Sequence, residues 1–221
     1  MNKIINEQHI NLVLLAAGQS KRFNGIKLAQ PITDLNSKGE KVTQALLLHS
    51  IDKLNALSYY LASINISNQV TVVLGSHQTQ LKKILPDITN TVINLNSEIG
   101  LSTSVKTAVN EAHNNNSTAL LLALGDHIGI SFEDYKNLVD LWINKQHNVC
   151  AFYENKLAVP AIFNQQQFAA LSLLKGDQGA KPLLNALAKS NQLTSLALLN
   201  GIYDIDTRDD IEHWEQQQTQ G

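Results

Sequence analysis

Between Leu12 and Leu28 the chain reads Leu-Val-Leu-Leu-Ala-Ala-Gly-Gln-Ser-Lys-Arg-Phe-Asn-Gly-Ile-Lys-Leu. A short apolar run stops abruptly in a loop of small residues that carries Lys21, Arg22 and Lys27. A buried strand followed by such a loop restricts the chain to folds in which a sheet edge meets a ligand. Gly18, with the small Ala16, Ala17 and Ser20, lets backbone approach a ligand closely. Backbone N–H groups in such a turn form an anion-binding nest, and the cations then neutralise a polyphosphate. The alternative is an ordinary strand-to-loop connection with solvated cations.

Two common phosphate loops are excluded by spacing. The Walker pattern needs Gly, four residues, then Gly-Lys-Ser/Thr. Here six residues separate Gly18 from Gly25, and Ile26 precedes Lys27. The dinucleotide fingerprint Gly-x-Gly-x-x-Gly is also missing. The nucleophile elbow Gly-x-Ser-x-Gly fails at Arg22, and the histidines show no paired metal-ligand spacing.

The rest of the chain alternates short β-type runs with longer helical patterns. Strands are expected at Asn11–Ala16, Val70–Leu74, Thr91–Asn94, Ala119–Leu124, Val149–Tyr153, Val159–Phe163 and Leu193–Leu199. Helices are expected at Val42–Leu57, His77–Leu85, Ser102–Ala112, Phe132–Lys145, Gln165–Leu174, Gly179–Lys189 and Arg208–Gln217. Asp34–Lys41 reads as a surface turn. This alternation argues for an α/β fold with a largely parallel sheet and helices on both faces. No repeat or Pro/Gly/Ser-rich linker divides the 221 residues, so one domain is the simplest organisation. A net charge of −2 argues against non-specific nucleic-acid binding. The single cysteine, Cys150, reads as a buried hydrophobe and suits a reducing cytoplasm. The run Leu12–Ala17 is too short to span a membrane, and no signal peptide is visible.

Four further segments carry chemistry. Ala119–Leu124 ends in Gly125-Asp126, at the strand edge where open α/β sheets bind ligands, and a carboxylate there suits Mg²⁺ or caps the next turn. Tyr203-Asp204-Ile205-Asp206-Thr207-Arg208-Asp209-Asp210 precedes a helix that Asp206 or Thr207 would cap. Asn94 to Ala108 holds a small-residue turn at Gly100 with Ser102, Thr103 and Ser104 opening a helix. Val159-Pro160-Ala161-Ile162-Phe163 precedes Gly176-Asp177-Gln178-Gly179, where Asp177 is also a candidate helix cap. The strand end at Gly75-Ser76 is a weaker cleft candidate.

These five segments, in this order from Leu12 to Asp210, resemble the MobA-like nucleotidyltransferases. Ala16-Ala17-Gly18 in the loop and Gly125-Asp126 lean toward the branch of cytidylyltransferases that act on the molybdenum cofactor. The resemblance implies a three-layer α/β/α Rossmann-like domain with a mostly parallel mixed sheet. Residues 11–130 would bind the NTP, and residues 131–215 would supply the acceptor side and a second metal ligand. The implied reaction transfers CMP from CTP to the terminal phosphate of a molybdopterin-type acceptor, with Mg²⁺ as cofactor and pyrophosphate as product. Arg22 and Lys27 would stabilise phosphate charge. Asp126 and Asp206 would hold the metal, with Asp204 the weaker match. Ala16, Ala17, Gly18, Ser20, Gly75 and Gly100 would line the nucleotide, with Ser104 against the base. Pro160, Phe163 and Asp177 would form the acceptor side, and a molybdoenzyme is a candidate partner.

The chain departs from the family pattern at His127-Ile128-Gly129, where a Pro usually follows the Asp by two residues, and at Arg208, which replaces a Pro. His127 reads as a hydrogen-bonded or solvated histidine rather than a catalytic one. Rival readings are a nucleotidyltransferase for a sugar phosphate or methylerythritol phosphate, a silent nucleotide-binding or cofactor-insertion protein, and a domain that only mediates assembly.

Overall fold

The computed structural model describes residues 8–20, 22–36 and 39–220, so Lys21 of the loop and Ser37 and Lys38 of the expected turn lie outside the described residues. In chain order the elements are β1 (His9–Ala16), β2 (Pro31–Leu35), β3 (Lys41–Ala45), α1 (Leu46–Ser63), β4 (Ser67–Leu74), α2 (Gln78–Leu81), β5 (Thr91–Ile93), α3 (Leu101–Asn114), β6 (Ala119–Leu124), α4 (Phe132–Lys145), β7 (Asn148–Tyr153), β8 (Lys156–Asn164), α5 (Phe168–Ser172), α6 (Lys181–Lys189), β9 (Leu193–Ala197) and α7 (Arg208–Gln220).

Period-2 alternation along β1 sets the layers. Ile10, Leu12, Leu14 and Ala16 pack with α1, α4 and Trp214 of α7. Val13, Leu15 and Ala17 pack with Val105 and Ala108 of α3, Phe168 of α5 and Leu184 of α6. Successive strand side chains point to opposite faces, so one strand, apolar from Leu12 onward, feeds two cores. Among the described residues the sheet has seven strands in the order β5-β4-β1-β6-β8-β7-β9. β8 runs antiparallel to both neighbours, and every other pairing is parallel. The fold is therefore the α/β sandwich with a mostly parallel mixed sheet that the sequence implies. The loops after β1 and β6 leave the carboxyl edge of two adjacent parallel strands.

A second, two-stranded sheet was not foreseen. Residues 42–45 were expected to start a helix but form β3, paired antiparallel with β2. Val42 and Thr43 are β-branched, and their partners Asp34 and Thr33 lie across a turn closed by Gly39 N–H to the Asn36 carbonyl. The helix starts only at Leu46, whose N–H reaches the Gln30 carbonyl. Other boundaries also shift. The helix expected over 77–85 keeps only Gln78–Leu81, and the strand expected to Leu199 stops at Ala197. The segment 165–174 splits into a 3-10 turn and a short α5.

The hairpin is fastened to α1 by a buried ion pair. Lys53 Nζ lies 3.1 Å from Asp34 Oδ2, with the two side chains only 12% and 5% exposed. The same ammonium donates to the Ile128 carbonyl at 2.7 Å, on the loop that follows β6. Burial pulls Lys53 below the usual lysine range, against the opposing pull of Asp34. Ser50 Oγ adds a second tie from α1, donating to the Gly125 carbonyl at 2.9 Å. Substituting Lys53→Met strands a buried carboxylate and should cost about 3–5 kcal/mol, whereas Asp34→Leu with Lys53→Met should recover most of it. Urea unfolding of the two variants checks this; equal losses would show that the pair does not carry the effect.

Candidate functional site

The loop after β1 turns sharply because Ser20 adopts φ +53 and its carbonyl accepts from Phe23 N–H. Phe23 then buries at 2% exposure, which anchors a loop of otherwise small residues. The chain re-enters the core at Lys27, in a 3-10 turn over Lys27–Ala29. That turn aims a buried lysine back at the carboxyl edge of the sheet. Lys27 Nζ lies 2.7 Å from Asp126 Oδ2 and 3.0 Å from Asp206 Oδ1. Arg22 closes the group from the solvent side, 2.6 Å from Asp206 Oδ2. Burial opposes the charge on Lys27, but the two carboxylates outweigh it and hold its pKa above the usual lysine value.

Backbone bonds bring the two carboxylates together. Ile205 N–H donates to the Asp126 carbonyl at 3.0 Å, and Gly129 N–H donates to the Tyr203 carbonyl at 3.1 Å. A Cβ on Gly129 would run into the Asn200 carbonyl, so the loop after Asp126 can lie this close only with glycine there. The family departure at His127-Ile128-Gly129 thus keeps Asp126 at the site. The cap on α7 falls to other residues than Asp206. The Asp210 carboxylate accepts from Thr207 N–H at 2.6 Å and Asp206 N–H at 2.9 Å, and Thr207 Oγ1 accepts from Asp210 N–H at 3.3 Å. Asp206 is left free to face the cations. Arg208 lies over the Phe23 ring, 5.3 Å from its centroid, and ties the C-terminal element to the loop.

A cleft of about 350 Å³ opens beside this cluster, lined by Ala17, Gly18, Ser20, Arg22, Lys27, Gly100, Ser104, Asp177 and Asp206. Ala16 and Asp126 line a recess of about 190 Å³ that shares Ala17, Gly18, Ser20, Lys27 and Ser104 with it. An added Cβ at Gly18 would meet nothing within 4 Å, so the space beside its backbone is open to a ligand. Ser104 Oγ accepts from Asn94 Nδ2 at 3.0 Å, and Asn94 Nδ2 also reaches Thr103 Oγ1 at 2.8 Å. Asn94 thereby orders the start of α3 against the end of β5.

Several expectations need correction. Gly75 does not line the cleft; it is buried behind it, where a Cβ would strike the Ala17 carbonyl and Ser97. Phe163 is a fully buried core residue under α3 and α5. Pro160 is buried too, in the irregular stretch where the β7–β8 register shifts between Cys150 and Ala151, because proline cannot donate to the ladder. Neither lines a described cavity. Asp177 does not cap α6. Its Oδ1 accepts from Leu101 N–H at 3.4 Å, at the start of α3, beside the Gly176 carbonyl that accepts from Ser102 N–H. Gly100, at φ +131, permits this approach, since a Cβ there would strike Asp177 and Gly176. Gln19, Ser97, Glu98 and Leu101 also line the cleft and were not singled out. Ser97 and Glu98 lie within the Asn94–Ala108 segment, where the small-residue pattern was the available signal.

The family model for the MobA-like NTP transferase domain matches residues 12–192. The chain belongs to this family. No curated protein matches it by sequence. Among solved structures, Rv0371c from Mycobacterium tuberculosis H37Rv superposes with a TM-score of 0.74 at 22% identity, over 95% of this chain and 99% of that one. A manganese complex of the same protein gives 0.69 at 20% identity, over 95% and 98%. The 4-diphosphocytidyl-2C-methyl-D-erythritol synthase of Anaerococcus prevotii gives 0.68 at 14% identity, over 99% and 100%. Molybdopterin-guanine dinucleotide biosynthesis protein A of Archaeoglobus fulgidus gives 0.56 at 11%, over 96% and 100%. At these identities the likeness is one of fold, and the family makes the chain a nucleotidyltransferase. Among the described residues no helix is long and apolar enough to cross a membrane.

The carboxylate pair fits a hard divalent cation. Both Asp126 and Asp206 contact one ammonium, so their oxygens converge on a single cation. Two carboxylates with substrate phosphates are a usual Mg²⁺ donor set, whereas no group of three or more His, Cys, Asp or Glu suited to a metal occurs among the described residues. Burial, with the nearby Asp206 and Asp126 charges, raises the pKa of Asp204, as expected for a third carboxylate set beside the pair. Removing the ammonium should expose the pair. In the absence of nucleotide, Lys27→Met should bind Mn²⁺ about tenfold more tightly than the wild type, equivalent to roughly 1.4 kcal/mol. Mn²⁺ titration by electron paramagnetic resonance reads this directly, and an unchanged affinity would mean that the pair does not take a shared metal.

Proposed function

We propose that the chain transfers CMP from CTP to the terminal phosphate of a molybdopterin-type cofactor and releases pyrophosphate. The observation that carries the reading is the meeting of Lys27 and Arg22 with Asp126 and Asp206 at the mouth of a cleft walled by Ala17–Ser20. A nucleotidyltransferase must neutralise a triphosphate while leaving its α-phosphorus open to attack. The loop backbone and Arg22 bind phosphate oxygens, and Lys27 leaves the carboxylates for the phosphates as they arrive. Asp126 and Asp206 would hold Mg²⁺, whose chemistry there would be to neutralise phosphate charge. The acceptor phosphate is anionic at neutral pH, so the attack needs no protein nucleophile or strong base. Ser104, which accepts from Asn94 and lines the cleft, would meet the base. The sequence Ala16-Ala17-Gly18 supports cytidine over guanine, and a molybdoenzyme is the expected recipient of the product.

A second acceptor, methylerythritol phosphate, is favoured by one observation: the full-length likeness to a 4-diphosphocytidyl-2C-methyl-D-erythritol synthase. Pyrophosphate release with Mg²⁺, each of the four NTPs in turn and either acceptor separates the two. The expected outcome is CTP-selective release with the molybdopterin-type acceptor, falling about 10²–10³-fold or more in Asp126→Ala or Lys27→Ala. Tight CTP binding without release from either acceptor would instead point to a silent binding protein.

A further inference from the structure

A cavity of about 480 Å³ lies between the start of α7, the segment that leads into it and Ile128 of the loop after β6. It shares no lining residue with the phosphate cleft or the recess. Ile128, Ile202 and Ile205 give it aliphatic surface. Tyr203 and Trp214 add two rings, tilted 59° with centroids 5.6 Å apart.

The charge around this cavity is of one sign. Asp204 and Asp210 line it, and no lysine or arginine does. From Tyr203 to Gln217 the sequence holds six carboxylates against one arginine, and that Arg208 lies over the Phe23 ring instead. Asp210 spends its Oδ2 on Asp206 N–H, Thr207 N–H and the Thr207 hydroxyl. Asp204 makes no ion pair among the described residues. Burial, with the Asp206 and Asp126 charges, pushes its carboxyl above the usual range, so a positive charge beside it would be stabilising. A second unmet group belongs to the lining. Trp214 is 8% exposed, and its Nε1 is buried with no hydrogen-bond partner. Such a donor is costly unless an acceptor reaches it.

We propose that this cavity binds a small primary amine, with its ammonium on Asp204, its apolar body on Tyr203, Trp214 and the isoleucines, and one uncharged oxygen accepting from Trp214 Nε1. A bare metal ion fits less well. It needs several oxygens at once and gains nothing from rings and isoleucines, and no group of three or more His, Cys, Asp or Glu suited to a metal occurs among the described residues. An ammonium gains from both the carboxylate and the aromatic faces. A carboxylate on the ligand would be repelled by Asp204 and Asp210, which excludes a zwitterion. The volume lies within the roughly 300–1,000 Å³ of small-molecule pockets. The position also makes the amine an effector. Asp204 is close enough to Asp126 and Asp206 to feel their charges, and Ile205 N–H holds its segment to the Asp126 carbonyl. An ammonium at Asp204 therefore opposes a second cation between Asp126 and Asp206, and the two binding events are reciprocally linked. This last step rests on the metal reading above; the amine site does not.

Calorimetric titration of the full chain with four related compounds tests the site. Tyramine carries the ammonium, the apolar ring and an uncharged oxygen. Tyrosine adds a carboxylate, tyrosol replaces the ammonium by a hydroxyl, and phenethylamine lacks the oxygen. Tyramine should bind about tenfold more tightly than tyrosine or tyrosol and about threefold more tightly than phenethylamine. In a Trp142→Phe background Trp214 is the remaining tryptophan, and its fluorescence should change on the same titration. Asp204→Asn, and Ile202→Lys, which supplies an ammonium from the chain itself, should each weaken tyramine binding about tenfold while keeping the wild-type circular dichroism. No tyramine binding, affinity for tyrosol equal to that for tyramine, an unmoved Trp214 signal, or unchanged affinity in Asp204→Asn would overturn the site. In Lys27→Met without nucleotide, saturating tyramine should weaken Mn²⁺ binding about two- to threefold. Unchanged Mn²⁺ affinity would overturn the effector role. Absence of any Mn²⁺ binding would overturn the metal reading and the effector role with it, while the amine site stands or falls on the calorimetry.

Discussion

One buried ammonium organises this site. Lys27 sits between Asp126 and Asp206, residues separated from it by 99 and 179 positions in the chain. An isolated buried cation would be expelled, and two converging carboxylates would repel each other. Together the three groups satisfy each other, with Arg22 balancing the second negative charge. These four charged side chains therefore sum to zero, with Asp204 a further carboxylate beside them. The surrounding fold supplies what this requires. Parallel β1 and β6 end side by side, and the backbone bonds from Ile205 and Gly129 hold the C-terminal element against the β6 loop. The tie from Lys53 to Ile128 braces that loop from below.

The C-terminal element divides its polar work among neighbouring residues. Thr207 Oγ1 accepts from the Asp210 N–H in the first turn of α7, and the Asp210 carboxylate accepts from the Thr207 and Asp206 N–H groups, so the Asp206 side chain does not cap the helix. Arg208 stacks on Phe23, the one large anchor in the phosphate loop. A proline at that place would give α7 a good first residue but no contact with the loop. Arg208 therefore adds a contact between the loop after β1 and the segment holding Asp206. The other departure, His127, packs its ring edge-on against Tyr153, 6.3 Å between centroids.

Much of this was legible in the sequence because strong local patterns and the global fold agree. Apolar runs such as Leu12–Ala16 and Ala119–Leu124 are long enough, and flanked clearly enough by small residues, to be read as strands ending at a site. The resemblance implies that Asp126 and Asp206 share a site, which spacing alone cannot show; in the structure both contact Lys27 Nζ. The misses have separate physical sources. β2 and β3 carry only five residues each and mix polar with apolar side chains, so Val42–Ala45 looked continuous with the helix it precedes. Phe163 and Pro160 lie in a motif shared with the family, but motif membership does not tell how far along a strand a residue sits from the site. Phe163 packs in the same core cluster as Leu157 and Val159 but pairs with Leu120, at the start of β6 and away from its carboxyl edge. Asp177 was read as a local cap because sequence favours near neighbours, yet its partner is Leu101, 76 residues away.

The neutral cluster also constrains how the site can be loaded. A triphosphate brings negative charge to a group that already balances, so it binds well only if positive charge becomes available. Lys27 can supply that charge only by giving up its carboxylates, and two adjacent carboxylates stripped of their cation are destabilised unless another cation takes its place. On the proposed function, ammonium transfer to phosphate and divalent-cation capture by Asp126 and Asp206 would be thermodynamically linked: each would remove the cost of the other. A metal and a nucleotide that each bind weakly alone can bind tightly together by this exchange. The linkage requires no movement of the sheet, only a swing of one lysine side chain from a 3-10 turn fixed against the core. It also explains why Lys27 is buried: an exposed lysine would leave the carboxylates to solvent counterions and lose the coupling.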